Sequence, residues 1–464
     1  MKKTALLFFI SAMIFSQENY NFSGKLNYYY VNRLSDGSII NLPFRIADFT
    51  FQKENGDFSV YANMAMEYRL PSANHFLVNT SSQDFAWDLR ELFLTWYLPM
   101  GEIRIGKQIS SWGSVDGNSP IDNINANDYY YLFSKGSEQK LGSFSTAGEI
   151  YSNSWTFGFS VSPLHSTNRL PLNDSEFPVE MPASPRASQV LEVENPIEFG
   201  GYLSKSFEKG DLTVSYFHGF DRSFSLSGAN VYADNNFLSH KLDTVFSYRK
   251  TKVLGLGGIY FIGNLTFRGD YSYFTTYDPN ENIERSYTDR VSNLLGYETI
   301  YTEITDSHPF NVKADYFEIN LQFEYEFPFD INFGGQYFKY DTLKYSDTPP
   351  PEIDLPDFQA NIKPSNYFFP GMGAPIAILS KELIMFDVSK LFFDNRLKIN
   401  IMNMVDQVYS GKLIEVGLTY EINESIEGTF ALNKIIGDNS QGDFYTFNNM
   451  EDFSNIRCEI QYSF

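Results

Sequence analysis

Residues 454–464 read SNIRCEIQYSF, and their alternation decides the fold. Ile456, Cys458, Ile460, Tyr462 and Phe464 fall on one face of an extended chain. Arg457, Glu459, Gln461 and Ser463 fall on the other. A period of two is the signature of a strand with one apolar and one polar side. The same period recurs in KADYFEINLQFEYEF (313–327), where Phe317, Ile319, Leu321, Phe323, Tyr325 and Phe327 oppose Glu318, Asn320, Gln322, Glu324 and Glu326. In NLTFRGDYSYF (264–274), Leu265, Phe267, Tyr271 and Tyr273 oppose Arg268 and Asp270.

Outward from these stretches, strands are expected near 20–32, 43–54, 57–69, 85–98, 101–109, 141–152, 154–163, 196–208 and 210–220. They continue near 246–261, 263–276, 312–327, 330–341, 379–391, 394–406, 411–422, 425–436 and 454–464. The total is about 18, an even number, as bacterial single-chain barrels require. The connections alternate in length. KENGD (53–57), LPMGE (98–102), EKGD (208–211), FPFD (327–330) and FFDNR (392–396) are tight. Long polar stretches lie near 109–140, 164–195, 221–245, 277–311, 342–378 and 437–453. Short turns at one rim and long loops at the other predict an all-β protein, a transmembrane antiparallel β-barrel with periplasmic turns and extracellular loops. With the N-terminus periplasmic, every tight turn falls on the periplasmic side. In hydrocarbon each backbone amide needs an internal partner, and only a closed sheet gives every strand two neighbours. A barrel of this size is too wide for side chains to fill, so water or folded-in loops occupy it.

Composition agrees. Aromatic residues include 44 Phe and 32 Tyr, far too many for a disordered acidic chain. The opening MKKTALLFFISAMIFS (1–16) has a basic start, a short apolar run and a small residue at Ser16, which predicts a secretory signal peptide followed by a barrel over 17–464. Cys458 is the single cysteine, so no internal disulfide exists. The net charge of −22 speaks against nucleic acid and against general adhesion to anionic lipid headgroups.

Residues 101–113, GEIRIGKQISSWG, fit the first seven places of a phosphate-binding loop through Gly101, Gly106 and Lys107. Gln108 stands where that loop needs a magnesium-binding Ser or Thr, and Ile103, Ile105 and Ile109 alternate as in a strand. The stretch is therefore read as a strand feeding a loop. By parity, Arg268, Asp270, Glu318, Glu324, Glu326, Arg457 and Glu459 face the lumen, as do Glu415, Glu421 and Glu427. Carboxylates outnumber the bases Lys25, Arg104, Lys398 and Arg457 there. That excess predicts a cation-preferring passage, against the plainer role of solvating the wall. The five histidines, His75, His165, His218, His240 and His308, fall in or near outer loops without metal-ligand spacing. No metal, cofactor or catalytic residue is expected.

The run RIGKQISSWG (104–113), followed by SVDGNSPIDNINANDY (114–129), resembles a porin-like family of Gram-negative outer-membrane proteins. That family carries a G-R-Q strand, then W-G, then an element like N-P-x-D. SPLHSTNRLPLNDSEFP (162–178) is similar to its Pro-rich R-L-P loop, and FRGDYSYF (267–274) to its R-x-E/D strand. Lys107 replaces its Arg, and NANDY (125–129) lacks its Pro. The resemblance implies that a segment near 110–130 folds into the lumen and that Arg104, Gln108, Trp112, Asp116, Asp122 and Asp128 line the constriction. Trp112 has the alternative of an interfacial anchor. The family's link to hydrophobic or lipid-like compounds makes apolar cargo a second expectation beside small polar solutes. A terminal Phe464 also resembles the family signal read by the barrel assembly machinery, and outer-membrane lipid is the expected surrounding partner. The loop at 345–375 is expected as a lid or an outer binding surface, with Tyr367, Phe368 and Phe369 to dock it. The rival reading is a closed barrel whose outer loops bind polysaccharide or a protein; a barrel enzyme is a third.

Overall fold

The computed structural model describes residues 20–69, 85–133, 136–174, 176–179, 183–234, 239–285, 288–292, 298–349, 353–355, 358–360, 363–442 and 445–464. The expected signal peptide and His75 lie outside them. Six strands open the wall: β1 (Tyr20–Arg33), β2 (Phe44–Asn55), β3 (Phe58–Tyr68), β4 (Phe85–Leu98), β5 (Gly101–Gln108) and β6 (Ser143–Ser152). Next come β7 (Trp155–Ser162), β8 (Glu198–Phe207), β9 (Gly210–Phe220), β10 (Lys250–Ile262), β11 (Leu265–Tyr277) and β12 (Lys313–Phe327). The last six are β13 (Ile331–Ser346), β14 (Glu382–Phe392), β15 (Leu397–Asp406), β16 (Lys412–Asn423), β17 (Ile426–Ile436) and β18 (Asn455–Ser463).

Each strand pairs antiparallel with its sequence neighbours, giving an 18-stranded sheet. The sheet closes through β1 and β18, in register from Lys25 opposite Ser463 to Arg33 opposite Asn455. Phe464 extends the seam. The Gly24 amide donates to the Phe464 carbonyl at 2.9 Å, and the Phe464 amide donates back at 3.1 Å. Its ring packs on Phe22 at 5.8 Å, over a glycine whose Cβ would meet that ring at 2.8 Å.

The outer wall is apolar and the inner wall polar. Along β10, Leu254 and Leu256 are 57% and 48% exposed while Thr251 and Val253 between the outward residues are buried. Leu212, Val214, Phe267, Leu321, Ile401 and Phe430 are likewise exposed outward. Water would penalise such a belt, but hydrocarbon does not.

Three differences from the sequence reading have physical causes. β13 continues to Ser346, where a one-residue shift between Asp315 and Tyr316 of β12 keeps the pairing. The stretches near 221–245 and 277–311 form a four-stranded sheet of 225–234, 240–247, 289–292 and 298–309. Ala229, Val231, Tyr232 and Val245 are buried, and the strand 225–234 is buried on both faces, so no alternation marks it in the sequence. Finally, β15 and β16 are joined by only residues 407–411 at the long-loop rim, so tight connections are not confined to the other end.

Leu256 lies near the centre of β10 on the lipid-facing side. Leu256→Arg is expected to lower stability by about 2–4 kcal/mol in reversible unfolding from lipid vesicles.

Candidate functional site: the lumen and its inward loops

Gln108 ends β5 and turns the chain inward. It is 1% exposed, and its Nε2 donates to the carbonyl and hydroxyl oxygens of Ser145, both at 3.1 Å. Gly106 precedes it with φ +142°, and a Cβ there would stand 2.2 Å from the Leu92 carbonyl oxygen. The glycine that resembled a phosphate loop therefore serves close strand packing. Asn125 fastens the returning segment. Its Nδ2 donates to the carbonyls of Gln108 and Leu141, each at 3.0 Å, and its Oδ1 accepts from the Ser110 amide at 2.7 Å.

Across the lumen, β11 and β12 present a polar strip to this segment. Their register sets Arg268 opposite Gln322, Asp270 opposite Asn320 and Ser272 opposite Glu318. The Asp270 carboxylate accepts from the amides of Ser114 (2.8 Å) and Val115 (3.1 Å) and from the Ser119 hydroxyl (2.7 Å). Gly113 permits that turn, with φ +101° and no room for a Cβ beside Ser119 and Asp270. Asn320 Nδ2 donates to the Asn118 carbonyl at 2.9 Å, and Gln322 Oε1 accepts from the Asp116 amide at 2.8 Å. Arg268 pairs with Asp116 at 2.6 Å.

A second loop docks beside the first. Fully buried Glu318 accepts the Ala374 amide at 2.8 Å, and the Tyr316 hydroxyl donates to the Met372 carbonyl at 3.2 Å. Ile376, Ala377 and Leu379 follow into an apolar cluster with Phe338, Leu383 and Met404. Trp112, Ile121 and Ile124 form another with Phe217, Val253, Phe274 and Met372. Fully burying one such large side chain is worth roughly 1.5–3 kcal/mol. Trp112 packs edge-on to Tyr202 at 5.4 Å.

A third tie comes from the R-L-P loop. Arg169 pairs with Glu67 at 2.8 Å and with Asp128 at 3.1 Å. Arg222, 2% exposed, donates to Glu198 at 2.7 Å and to the carbonyls of Asn123 and Ile124, each at 3.0 Å. Burial pushes the Asp128 carboxyl up to about 6, opposed by Arg169. Asp122 is also buried and pairs with Lys140 at 2.9 Å. Only a small void remains between the loops there, lined by Asp122, Asn127, Tyr129, Arg222 and Gly371 among others.

The candidate residues thus fall into two sets. Gln108, Trp112, Asp122, Asp128, Asp270 and Glu318 are buried and fasten loops. Arg104, Asp116, Arg268, Glu324, Glu326, Arg457 and Glu459 keep accessible surface. Arg104 pairs with Glu102, and Arg268 also approaches Glu324 at 3.5 Å. Arg457 and Glu459 share the inner face of β18, near Glu427 on the adjoining β17 and Glu415 on β16 beyond it. Lys107 pairs with Asp88 at 3.5 Å.

Of the lid expected over 345–375, the last residues, 370–375, are mostly buried within the barrel, and the chain continues so to Leu379. Phe368 meets Tyr345 at 5.4 Å, while Tyr367 is exposed. The reading of individual residues missed the docking of Met372 and Ala374; the apolar run GMGAPIAIL (371–379), costly in a watery loop, was its signal. Among the histidines, His165 pairs with Glu198 at 3.0 Å, and His218 lies within β9.

The closed, loop-narrowed barrel has known structural counterparts. Pseudomonas aeruginosa OpdK, in its structure with vanillate, matches at a TM-score of 0.50 and 11% identity, covering 96% of this chain and 98% of that one. This is the fold of a Gram-negative outer-membrane porin. Pseudomonas aeruginosa OccK5 (OpdH) gives 12% identity and a TM-score of 0.48, covering 96% and 98% of the two chains. Acinetobacter baumannii OccAB4 gives 11% and 0.48, covering 97% and 99%. No protein-family model matches the chain, and no curated protein matches it. At such identities the shared feature is the porin fold.

Asp270→Ala leaves the Ser114 and Val115 amides without their acceptor, a cost of about 1–3 kcal/mol. Faster hydrogen exchange at those two amides, with the wall strands unchanged, is the expected result. Asp128 gives a pH dependence. Between pH ~4 and ~6 the folded protein holds a proton that the unfolded chain has released, so this group's contribution to stability declines as pH rises through that window. Denaturation midpoints measured across it should show a flatter slope in Asp128→Asn.

Proposed function

We propose that the protein is a passive outer-membrane channel for small polar solutes, with a preference for cations. The observation that carries this reading is the acid-rich inner wall around inward-folded loops. Glu324, Glu326, Glu415, Glu421, Glu427 and Glu459 face inward by strand parity. Of the inward bases, Arg104 and Arg268 are already paired with carboxylates. Carboxylates on a narrow water path raise the local cation concentration and disfavour anions. The segment near 110–130, with 371–379, narrows the path. Passage then depends on solute size and charge, with no covalent step.

A second reading, carriage of apolar compounds, follows the resemblance to the G-R-Q…W-G family. It draws on a small, mostly apolar pocket among the extracellular loops, lined largely by Tyr129, Leu170, Phe224, Leu226, Phe246 and Phe369. The Phe464 seam fits the proposal that the assembly machinery reads the terminal aromatic.

Purified barrel in a planar bilayer, under a salt gradient, separates the readings. Steady conductance with a cation-selective reversal potential is expected, and Glu326→Gln with Glu459→Gln should move that potential toward zero selectivity. Folded protein without conductance would sink the open acidic pore and favour apolar carriage or a closed barrel that binds through its outer loops.

A further inference from the structure

The chain is strongly acidic, yet one sector of its outer wall is basic. At the extracellular ends of β9 to β13, strand register places His218, Lys252, Thr275, Asp315 and Lys344 in one row. The next row outward holds Phe220, Lys250, Tyr277 and Lys313. Neighbouring strands stand ~4.8 Å apart, so five strands carry the first row across about 19 Å.

The orientation of these lysines follows from burial. On β10, Thr251, Val253 and Gly255 are buried toward the lumen, whereas Lys252, Leu254 and Leu256 are exposed on the opposite face. On β12, Lys313 is exposed and Ala314 buried. Lys250 shares the parity of Lys252, and its ammonium sits 5.8 Å from the centre of the Phe220 ring. The row beneath is Tyr216, Leu254, Tyr273 and Phe317, followed by Leu256 and Tyr271. Tyrosines above an aliphatic belt mark the membrane–water interface of a barrel. The lysines therefore stand at headgroup level, about 7 Å above Leu254 along the strand in the case of Lys252.

Their partners are incomplete. Lys344 pairs with Asp315 at 3.3 Å, and the His218 ring rests on Phe199 at 5.3 Å. Among the described residues, no carboxylate forms an ion pair with Lys250, Lys252 or Lys313. Asp341, opposite Phe317, is one row lower, and Asp278 faces the Val312 amide at 2.9 Å. A single lysine at an interface needs no partner. Here two lie on the same face of β10, two positions apart, and the third stands in the row of Lys250 two strands away, a group of like charges that favours an anion from outside the chain. Screening confines charge effects to about 8 Å at physiological salt, so the acidic lumen does not cancel a local cationic field on the outer wall.

We propose that this sector binds the phosphate groups of an anionic glycolipid in the outer leaflet. Lys250, Lys252 and Lys313 donate charge-assisted hydrogen bonds to phosphate oxygens. Leu254, Tyr273 and Phe317 contact the acyl chains below. That apolar row selects a lipid over a free phosphate ion.

Native mass spectrometry of the full-length barrel in non-ionic detergent tests this, with diphosphorylated lipid A and phosphatidylcholine as probes. Wild type is expected to retain lipid A and to release phosphatidylcholine. The triple variant Lys250→Gln, Lys252→Gln, Lys313→Gln should lose retention, by on the order of fivefold for each lysine. Lys412→Gln with Lys434→Gln, on the outer wall of β16 and β17, should bind as wild type does. Single Lys252→Gln serves if the triple variant fails to fold, and should show the corresponding smaller loss. Equal retention by wild type and the Lys252 variants overturns the proposal. So does equal retention of phosphatidylcholine, or displacement of lipid A by inorganic phosphate alone, which would mark a simple anion site.

Discussion

Closure of β18 on β1 is the constraint from which the other features follow. A sheet in hydrocarbon cannot leave an edge, because each unpaired amide there costs several kcal/mol. The nine-residue register from Lys25 to Arg33 removes both edges at once, and Phe464 carries the pairing one step further through Gly24. Once the wall is closed, strand parity sends one set of side chains to lipid and the other to the lumen. The apolar belt, the acid-rich interior and the basic outer sector are all consequences of that parity.

A closed wall of 18 strands leaves more space than its own side chains fill, and the chain uses its loops to reduce it. The polar strip on β11 and β12 is the centre of that arrangement. Asp270 and Asn320 hold the segment after β5, while Glu318 holds the segment before β14. Both loops bury apolar residues beneath these hydrogen bonds, so desolvation and pairing act together. A carboxylate that looks like a pore lining in an alternating strand can instead be the anchor of the loop that narrows the pore.

Charge is divided by location in the same way. Buried acids are held by amides or by arginines, as with Asp270, and with Asp128 beside Arg169. Others, such as Glu326 and Glu459, keep accessible surface on the inner face. Lysines at the extracellular interface face neither population, since the wall separates them from the lumen.

The sequence by itself determined the barrel. Period-two alternation such as Ile456 to Phe464, tight turns such as EKGD and the long intervening loops carried nearly all strand positions, because one face must meet hydrocarbon and the other water. Lumen-facing parity was legible for the same reason. Tertiary structure decided what each inward residue touches. Nothing local in FRGDYSYF distinguishes Asp270, capped by the Ser114 and Val115 amides, from an acid open to solvent. Those contacts join residues more than 150 positions apart, as the bend of the chain brings them together across the lumen. The basic sector was hidden likewise. Lys313 joins Lys250 and Lys252 only when β10, β11 and β12 take their register, and no count of charges along the chain contains that register.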